Sequence, residues 1–203
     1  MIHIVDYGMG NLGSVLNMFK KIGAEAKISS DLNEISKAEK LLLPGVGAFD
    51  AAMERINSAG LKPILDQKAL KDKIPVLGIC LGMQLLTESS EEGALQGLGW
   101  IPGTTCAFKG RVDENLKIPH MGWNISEISS QNQMTSVFEG ELRFYYVHSY
   151  FVKVRDENHV MMKCTYGLKF DSAIAKDNIF GAQFHPEKSH RFGMQFFKNF
   201  ASI

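Results

Sequence analysis

Cys80 stands between two glycines in Gly78-Ile79-Cys80-Leu81-Gly82. An apolar run opened by Pro75 precedes it, and Met83, Leu85 and Leu86 begin a helical pattern after it. The residue therefore sits at a strand-to-helix corner, the cysteine form of a nucleophile elbow. Glycines two residues away on either side let the chain turn sharply and leave the apical side chain exposed. Helix N–H groups and the positive end of the helix dipole would favour thiolate over thiol. The competing reading is a buried cysteine in a glycine-rich turn, since free cysteine is among the most buried residue types. Whether a base lies elsewhere in the chain decides between them.

Gly181-Ala182-Gln183-Phe184-His185-Pro186-Glu187 supplies one. His185 and Glu187 are two apart in extended chain, so their side chains point the same way. Pro186 biases His185 to the β region and prevents a helix from continuing there. Glu187 can then orient the imidazole, and His185 can take the thiol proton and later deliver one to a leaving amine. Alone, the tripeptide is compatible with a strand end and a solvated glutamate. With the elbow it completes a nucleophile, base and orienter: Cys80, His185 and Glu187.

Pro44-Gly45-Val46-Gly47 also follows a buried strand. Its glycines permit unusual backbone angles, so an N–H here could meet the charge developing on a carbonyl oxygen. An ordinary Pro-Gly turn has the same sequence. Gln84 lies one helical turn after Cys80 and shares its face, unless it is simply a surface polar residue. His3 reads as core, and His159 and His190 as surface. His120 in Pro119-His120-Met121-Gly122-Trp123-Asn124 and His148 in Val147-His148-Ser149-Tyr150 have no evident role.

These residues must be held by an alternation of strands and helices. Ile2–Val5, Ala26–Ile28, Leu41–Leu43 and Pro75–Ile79 read as strands. Leu12, Val15, Leu16, Phe19 and Ile22 recur at helical spacing until Gly23, and Asp31 is a helix cap. Further helical patterns hold Phe49, Met53 and Ile56, and then Leu61 to Leu70. This order predicts an open α/β fold, mostly parallel, with helices on both faces and sites beyond the carboxyl ends of the strands. From Trp100 to Phe184 the strands lengthen, as in Arg143–Val152 and Ser172–Ala175, and predict a mixed or antiparallel extension. Phe192, Phe196, Phe197 and Phe200 mark a closing helix. One domain over residues 1–203 is expected.

Composition narrows the partners. Twenty-two basic residues balance twenty-two acidic ones, which argues against nucleic acid and polybasic membrane contacts. Three cysteines without paired spacing suit a reducing compartment. No leader precedes the first strand and no apolar run is long enough for a membrane span, so a soluble cytoplasmic protein is expected. Gly8-Met9-Gly10 lacks the third glycine of a dinucleotide fingerprint, no phosphate loop occurs, and no histidines have metal-ligand spacing. Neither metal nor other cofactor is expected.

With these residues in view, the chain resembles the class I, triad-type glutamine amidotransferases. Among them it is most similar to the glutaminase subunits of imidazole glycerol phosphate synthases. The resemblance runs nearly end to end, through Asp6–Leu12, Pro44–Phe49, Gly78–Gln84, Pro119–Asn124, Tyr146–Tyr150 and Gln183–Ser189. The elbow and His-Pro-Glu are shared by the whole superfamily, whereas the Pro119–Asn124 and Val147–Tyr150 segments narrow it to this subunit and its close relatives. The resemblance implies glutamine hydrolysis by Cys80, His185 and Glu187, with an oxyanion held by backbone N–H groups of Leu81 and the Val46–Gly47 segment. It implies glutamine contacts from Gly47, Gln84, Glu92, Ser149 and Tyr150. It also implies heterodimerisation with a (β/α)8-barrel cyclase that receives the ammonia for histidine biosynthesis, through Asn11, Trp123, Asn124, Tyr145 and Lys176. Trp123 and Tyr145 are equally compatible with a core. A paralogous subunit feeding another synthase, such as one amidinating surface-polysaccharide sugars, would share chemistry and fold. A stand-alone cysteine hydrolase of a related group would place its histidine directly after the cysteine, where Leu81 stands. A non-catalytic module would be expected to have lost a triad member.

Overall fold

The structure, a computed structural model, describes residues 1–203. Four short strands and their helices build the first half. They are β1 (Ile2–Val5), α1 (Leu12–Lys21), β2 (Ala26–Ser29), α2 (Leu32–Ser36), β3 (Lys40–Leu43), α3 (Phe49–Ser58), α4 (Leu61–Asp66), β4 (Val76–Ile79) and α5 (Leu81–Leu85). Local chemistry places the boundaries. Asn11 caps α1 through the N–H of Ser14, Asp31 caps α2 through that of Glu34, and Gly23 ends the α1 region at φ +77°. The segment expected to be helical through Leu70 is α4 followed by a wider π-turn at Gln67–Lys71.

The second half contributes β5 (Ser89–Ser90), β6 (Gly103–Ala107), β7 (His120–Ile128), β8 (Leu142–His148), β9 (Tyr150–Val154), β10 (Val160–Tyr166), β11 (Leu168–Lys176), β12 (Ile179–Ala182) and α6 (His190–Ser202). One sheet runs β2-β1-β3-β4-β12-β11-β10-β7-β8, with β9 also paired to β11 and leading through β6 to β5. Its first five strands are parallel, and from β11 onward the neighbours are antiparallel. The expected mixed extension is present. The run Arg143–Val152, read as one strand, is two: the chain breaks at Ser149, β8 pairs with β7, and β9 crosses to β6. Periodicity could not reveal that break, because aromatic and β-branched residues continue on both sides of it with no glycine or proline between them.

The sheet separates two apolar layers. Leu42, Leu77 and Ile79 pack with Phe19 of α1 and with Phe196, Phe197 and Phe200 of α6. Val5, Leu41, Leu43 and Val76 pack with Phe49, Met53 and Ile56 of α3 and Leu61 and Leu65 of α4. The three α6 phenylalanines are fully buried, each contributing about 1.5–3 kcal/mol relative to exposure. No helix is long and apolar enough to cross a membrane.

Candidate active site

β4 ends at Ile79 and presents Cys80 at φ +54°, ψ −108°. A non-glycine side chain in this region stores about 1–3 kcal/mol of strain, which the surrounding packing must impose. The two glycines explain how. A Cβ at Gly78 would stand 2.5 Å from the Gly82 carbonyl oxygen, and one at Gly82 only 1.8 Å from that of Leu43. Strand and helix therefore approach too closely for any side chain, and the turn is forced through Cys80. Its own N–H donates to the Ala182 carbonyl at 2.7 Å, tying the elbow to β12.

β12 runs parallel to β4, with Ile179 opposite Val76 and Ala182 opposite Ile79, and so delivers His185 to the same edge as Cys80. The His185 N–H donates to the Tyr145 carbonyl, and its Nδ1 meets Glu187 Oε1 at 2.7 Å. Both side chains are almost fully buried, and His185 Nε2 and Glu187 Oε2 have no hydrogen-bond partner. Burial alone would suppress charge on the imidazole. The Cys80 sulfur and the Glu187 carboxylate outweigh it and raise the His185 pKa to about 10. The arrangement favours an imidazolium placed between an acid and a sulfur nucleophile. The Cys80 Sγ also has the Gln183 amide at 3.7 Å and the Val147 carbonyl at 3.9 Å.

Cys80 opens on a cavity of about 330 Å³ lined by Val46, Gly47, Leu81, Gln84, Glu92, Pro119 and the Val147–Tyr150 segment. All five residues expected to contact glutamine are brought here. Gln84 is not a surface residue: it is buried, and its Nε2 donates to the Tyr150 carbonyl and to Gln183 Oε1, each at 3.2 Å. Glu92 Oε2 accepts the N–H of Phe49 at 3.0 Å, capping α3 where Ala48 has no side chain to do so. The Leu81 N–H donates to the Gly45 carbonyl at 3.3 Å, and Gly47 has φ +119°. Beneath this loop the buried Tyr7 hydroxyl donates to the Pro44 carbonyl. No group of three or more His, Cys, Asp or Glu side chains is arranged to hold a metal ion.

The residues expected at a partner face divide. Asn11 lies just beyond the carboxyl end of β1, and α1 packs against the turn of Pro186–Lys188. Trp123 is 47 % exposed rather than core, meets Tyr145 edge to face at 6.1 Å and stacks on His190 at 5.3 Å. Asn124, next along the strand, faces the other way: both amide hydrogens are taken, by His120 and by the Thr165 carbonyl. Lys176 stands apart from Trp123 and Tyr145. It pairs with Ile179, which is opposite Val76, so it lies at the amino edge of the parallel strands and reaches the Trp100 carbonyl. The cation near the Trp123–Tyr145 patch is instead Lys188, whose Nζ stands 5.7 Å from the Tyr145 ring centre. Its position directly after His185-Pro186-Glu187 was the available signal.

The glutamine amidotransferase class-I family model matches residues 3–202. The imidazole glycerol phosphate synthase subunit HisH 2 of Pseudomonas aeruginosa is 49 % identical over 203 residues, covering 100 % of both chains. The subunit of the same name from Methanococcus maripaludis is 52 % identical over 200 residues, covering 98 % of each. Among solved structures, a glutamine amidotransferase superposes with TM-score 0.77 at 14 % identity over 100 % of both chains. PurLQS from Thermotoga maritima gives TM-score 0.73 at 19 % identity over 99 % of this chain and 97 % of that one. The two likenesses speak for the fold, and the match across residues 3–202 goes further: this chain belongs to the class-I glutamine amidotransferase family.

Proposed function

We propose that the chain, as one domain, is the glutaminase subunit of an imidazole glycerol phosphate synthase and passes ammonia to a (β/α)8-barrel cyclase subunit for histidine biosynthesis. The observation that carries the reading is Cys80 at a strained elbow beside the His185–Glu187 pair, facing a cavity lined by Gln84, Glu92, Ser149 and Tyr150. Full-length relatives bearing that subunit's name support the biological setting.

In this reading the Cys80 thiolate attacks the side-chain carboxamide carbon of glutamine. The C=O electron pair moves onto oxygen, and backbone N–H groups of Leu81 and the Val46–Gly47 segment receive that charge. As the intermediate collapses, His185 gives its Nε2 proton to the amide nitrogen and ammonia leaves. Water then attacks the thioester while His185 takes its proton, releasing glutamate and the thiolate. Glu187 keeps the imidazole oriented and its charged form favoured throughout. The N–H of Leu81 must first leave the Gly45 carbonyl, a reorientation that the glycines at 45 and 47 make inexpensive. Binding of the cyclase beside Trp123, Tyr145 and Lys188 is the event that drives it.

The test is glutamate release by the purified chain, alone and with a cognate cyclase and its ligand, with Cys80→Ala as control. Low activity that rises strongly with the loaded cyclase and disappears in the control supports the reading. Activity indifferent to that cyclase would redirect the chain to a paralogous synthase. No release with cyclase, ligand and an intact triad would overturn the glutaminase role.

A further inference from the structure

His120 and His148 face each other across β7 and β8, fully paired in register and buried. The proposed chemistry uses neither. His148 Nδ1 lies 2.7 Å from the Tyr150 carbonyl, its Nε2 lies 2.9 Å from His120 Nδ1, and His120 Nε2 lies 3.1 Å from Asn124 Nδ2. Asn124 Oδ1 accepts the Ile125 N–H, and its other amide hydrogen goes to the Thr165 carbonyl. A carbonyl can only accept, so His148 carries its proton on Nδ1 and its Nε2 accepts from His120. His120 then also carries its proton on Nδ1, and its Nε2 accepts from Asn124. Every nitrogen is satisfied in a single tautomer of each ring.

The surroundings keep both rings neutral. Tyr146 and Tyr166 stack on His120 at 4.7 and 4.1 Å between ring centres, and Phe108 and Phe170 flank the pair. Burial lowers His120 to about 4, and burial together with the neighbouring His120 and His185 rings lowers His148 to about 3. The pair's position gives it a task. At Ser149 the chain passes from the β7 ladder to the β6 ladder: His148 pairs with His120, the Ser149 carbonyl accepts the Phe108 N–H, and Tyr150 pairs with Ala107. At this crossing on the cavity wall, the Tyr150 carbonyl is held by the side chains of His148 and Gln84.

We propose that His148, with its tautomer fixed by His120 and Asn124, is a positioning residue for glutamine: its Nδ1–H anchors the Tyr150 carbonyl and so sets the Val147–Tyr150 wall of the cavity. The inference rests on the glutaminase reading for its substrate, and on geometry alone for its tautomers.

Two measurements test it. The first is long-range ¹H–¹⁵N correlation of the histidine rings in the full chain near neutral pH, which needs no activity. Nδ1–H forms of both His120 and His148 are expected, and an Nε2–H or doubly protonated form of either overturns the relay. The second compares wild type, His148→Asn and His148→Leu in saturating complex with the cyclase. The asparagine amide can replace Nδ1–H toward Tyr150, whereas leucine cannot. Loss of the anchor is expected to raise the glutamine KM of His148→Leu about tenfold or more while kcat stays within about threefold. His148→Asn is expected to restore KM to within about threefold even though its melting temperature falls, because His120 Nδ1–H loses its acceptor. A folded His148→Leu with unchanged KM, or a folded His148→Asn no better than His148→Leu, overturns the anchor. An inactive wild-type complex would instead count against the glutaminase reading, leaving the tautomer result to stand by itself.

Discussion

The backbone N–H of Leu81 donates to the carbonyl of Gly45 at 3.3 Å. Leu81 immediately follows the nucleophile, so this contact occupies a donor that a tetrahedral intermediate would need. Tyr7 backs the arrangement. Its buried hydroxyl donates to Pro44, and a Cβ on Gly45 would stand 2.6 Å from that hydroxyl oxygen. Tyr7→Phe keeps the ring and releases the loop. Glutaminase activity without cyclase is expected to rise severalfold, with the fully activated rate little changed. Equal losses in both states, measured by glutamate release, would make Tyr7 a simple core residue.

The elbow predicts opposed effects on stability and activity. Cys80→Gly removes the positive-φ strain and the nucleophile together, and should raise unfolding free energy by about 1 kcal/mol while abolishing turnover. Cys80→Ala keeps the strain and serves as the inactive comparison. Gly82→Ala meets the Leu43 carbonyl and should cost about 3 kcal/mol or more. Denaturant titrations of the three variants separate these outcomes.

His185 should titrate near pH 10 in wild type, and its midpoint should fall in Glu187→Gln and in Cys80→Ala, since each removes a group that raises it. The folded value lies above the unfolded one of about 6.5. Its stabilising contribution is therefore complete below pH 6.5 and lost as pH rises through about 10. Imidazole chemical shifts followed against pH read the midpoints directly. Glu187→Gln should also lower kcat about a hundredfold or more.

Trp123→Ala and Lys176→Ala should behave differently toward the cyclase. An exposed aromatic resting on His190 and Tyr145 has the character of a binding hot spot, so Trp123→Ala is expected to weaken association by about 2 kcal/mol. Lys176→Ala, at the opposite edge of the sheet, should leave it unchanged. Titration calorimetry with the cyclase distinguishes the two sites.

How far the sequence was legible depended on how local each signal was. Cys80 and His185 declare themselves because glycine and proline fix the backbone beside them, and the apolar runs that carry them are short and bounded. The parallel half of the sheet was readable for the same reason. The break at Ser149 was not, because no glycine or proline separates β8 from β9 in sequence and pairing distinguishes them. Asn124 and Trp123 are neighbours in sequence, and strand alternation turns them to opposite faces. Lys176 falls at the edge opposite Cys80, and nothing local says which end of β11 meets the active edge. His120 and His148 were conspicuous but without a role, since their meaning lies in a pairing across 28 residues.

Nucleophile and base arise from β4 and β12, adjacent parallel strands in register from Val76 and Ile179 to their last residues. Cys80 follows β4 directly and its N–H is tied to the carbonyl of Ala182, the last residue of β12, while His185, three residues beyond that end, is held through its own N–H by the Tyr145 carbonyl of β8. Nucleophile and base are thus each fixed by a backbone bond to a strand, and neither bond involves the Pro44–Gly47 segment. Such a layout separates ignition from aim: what a partner switches can be redesigned or exchanged, and the distance across which the proton travels remains as it was.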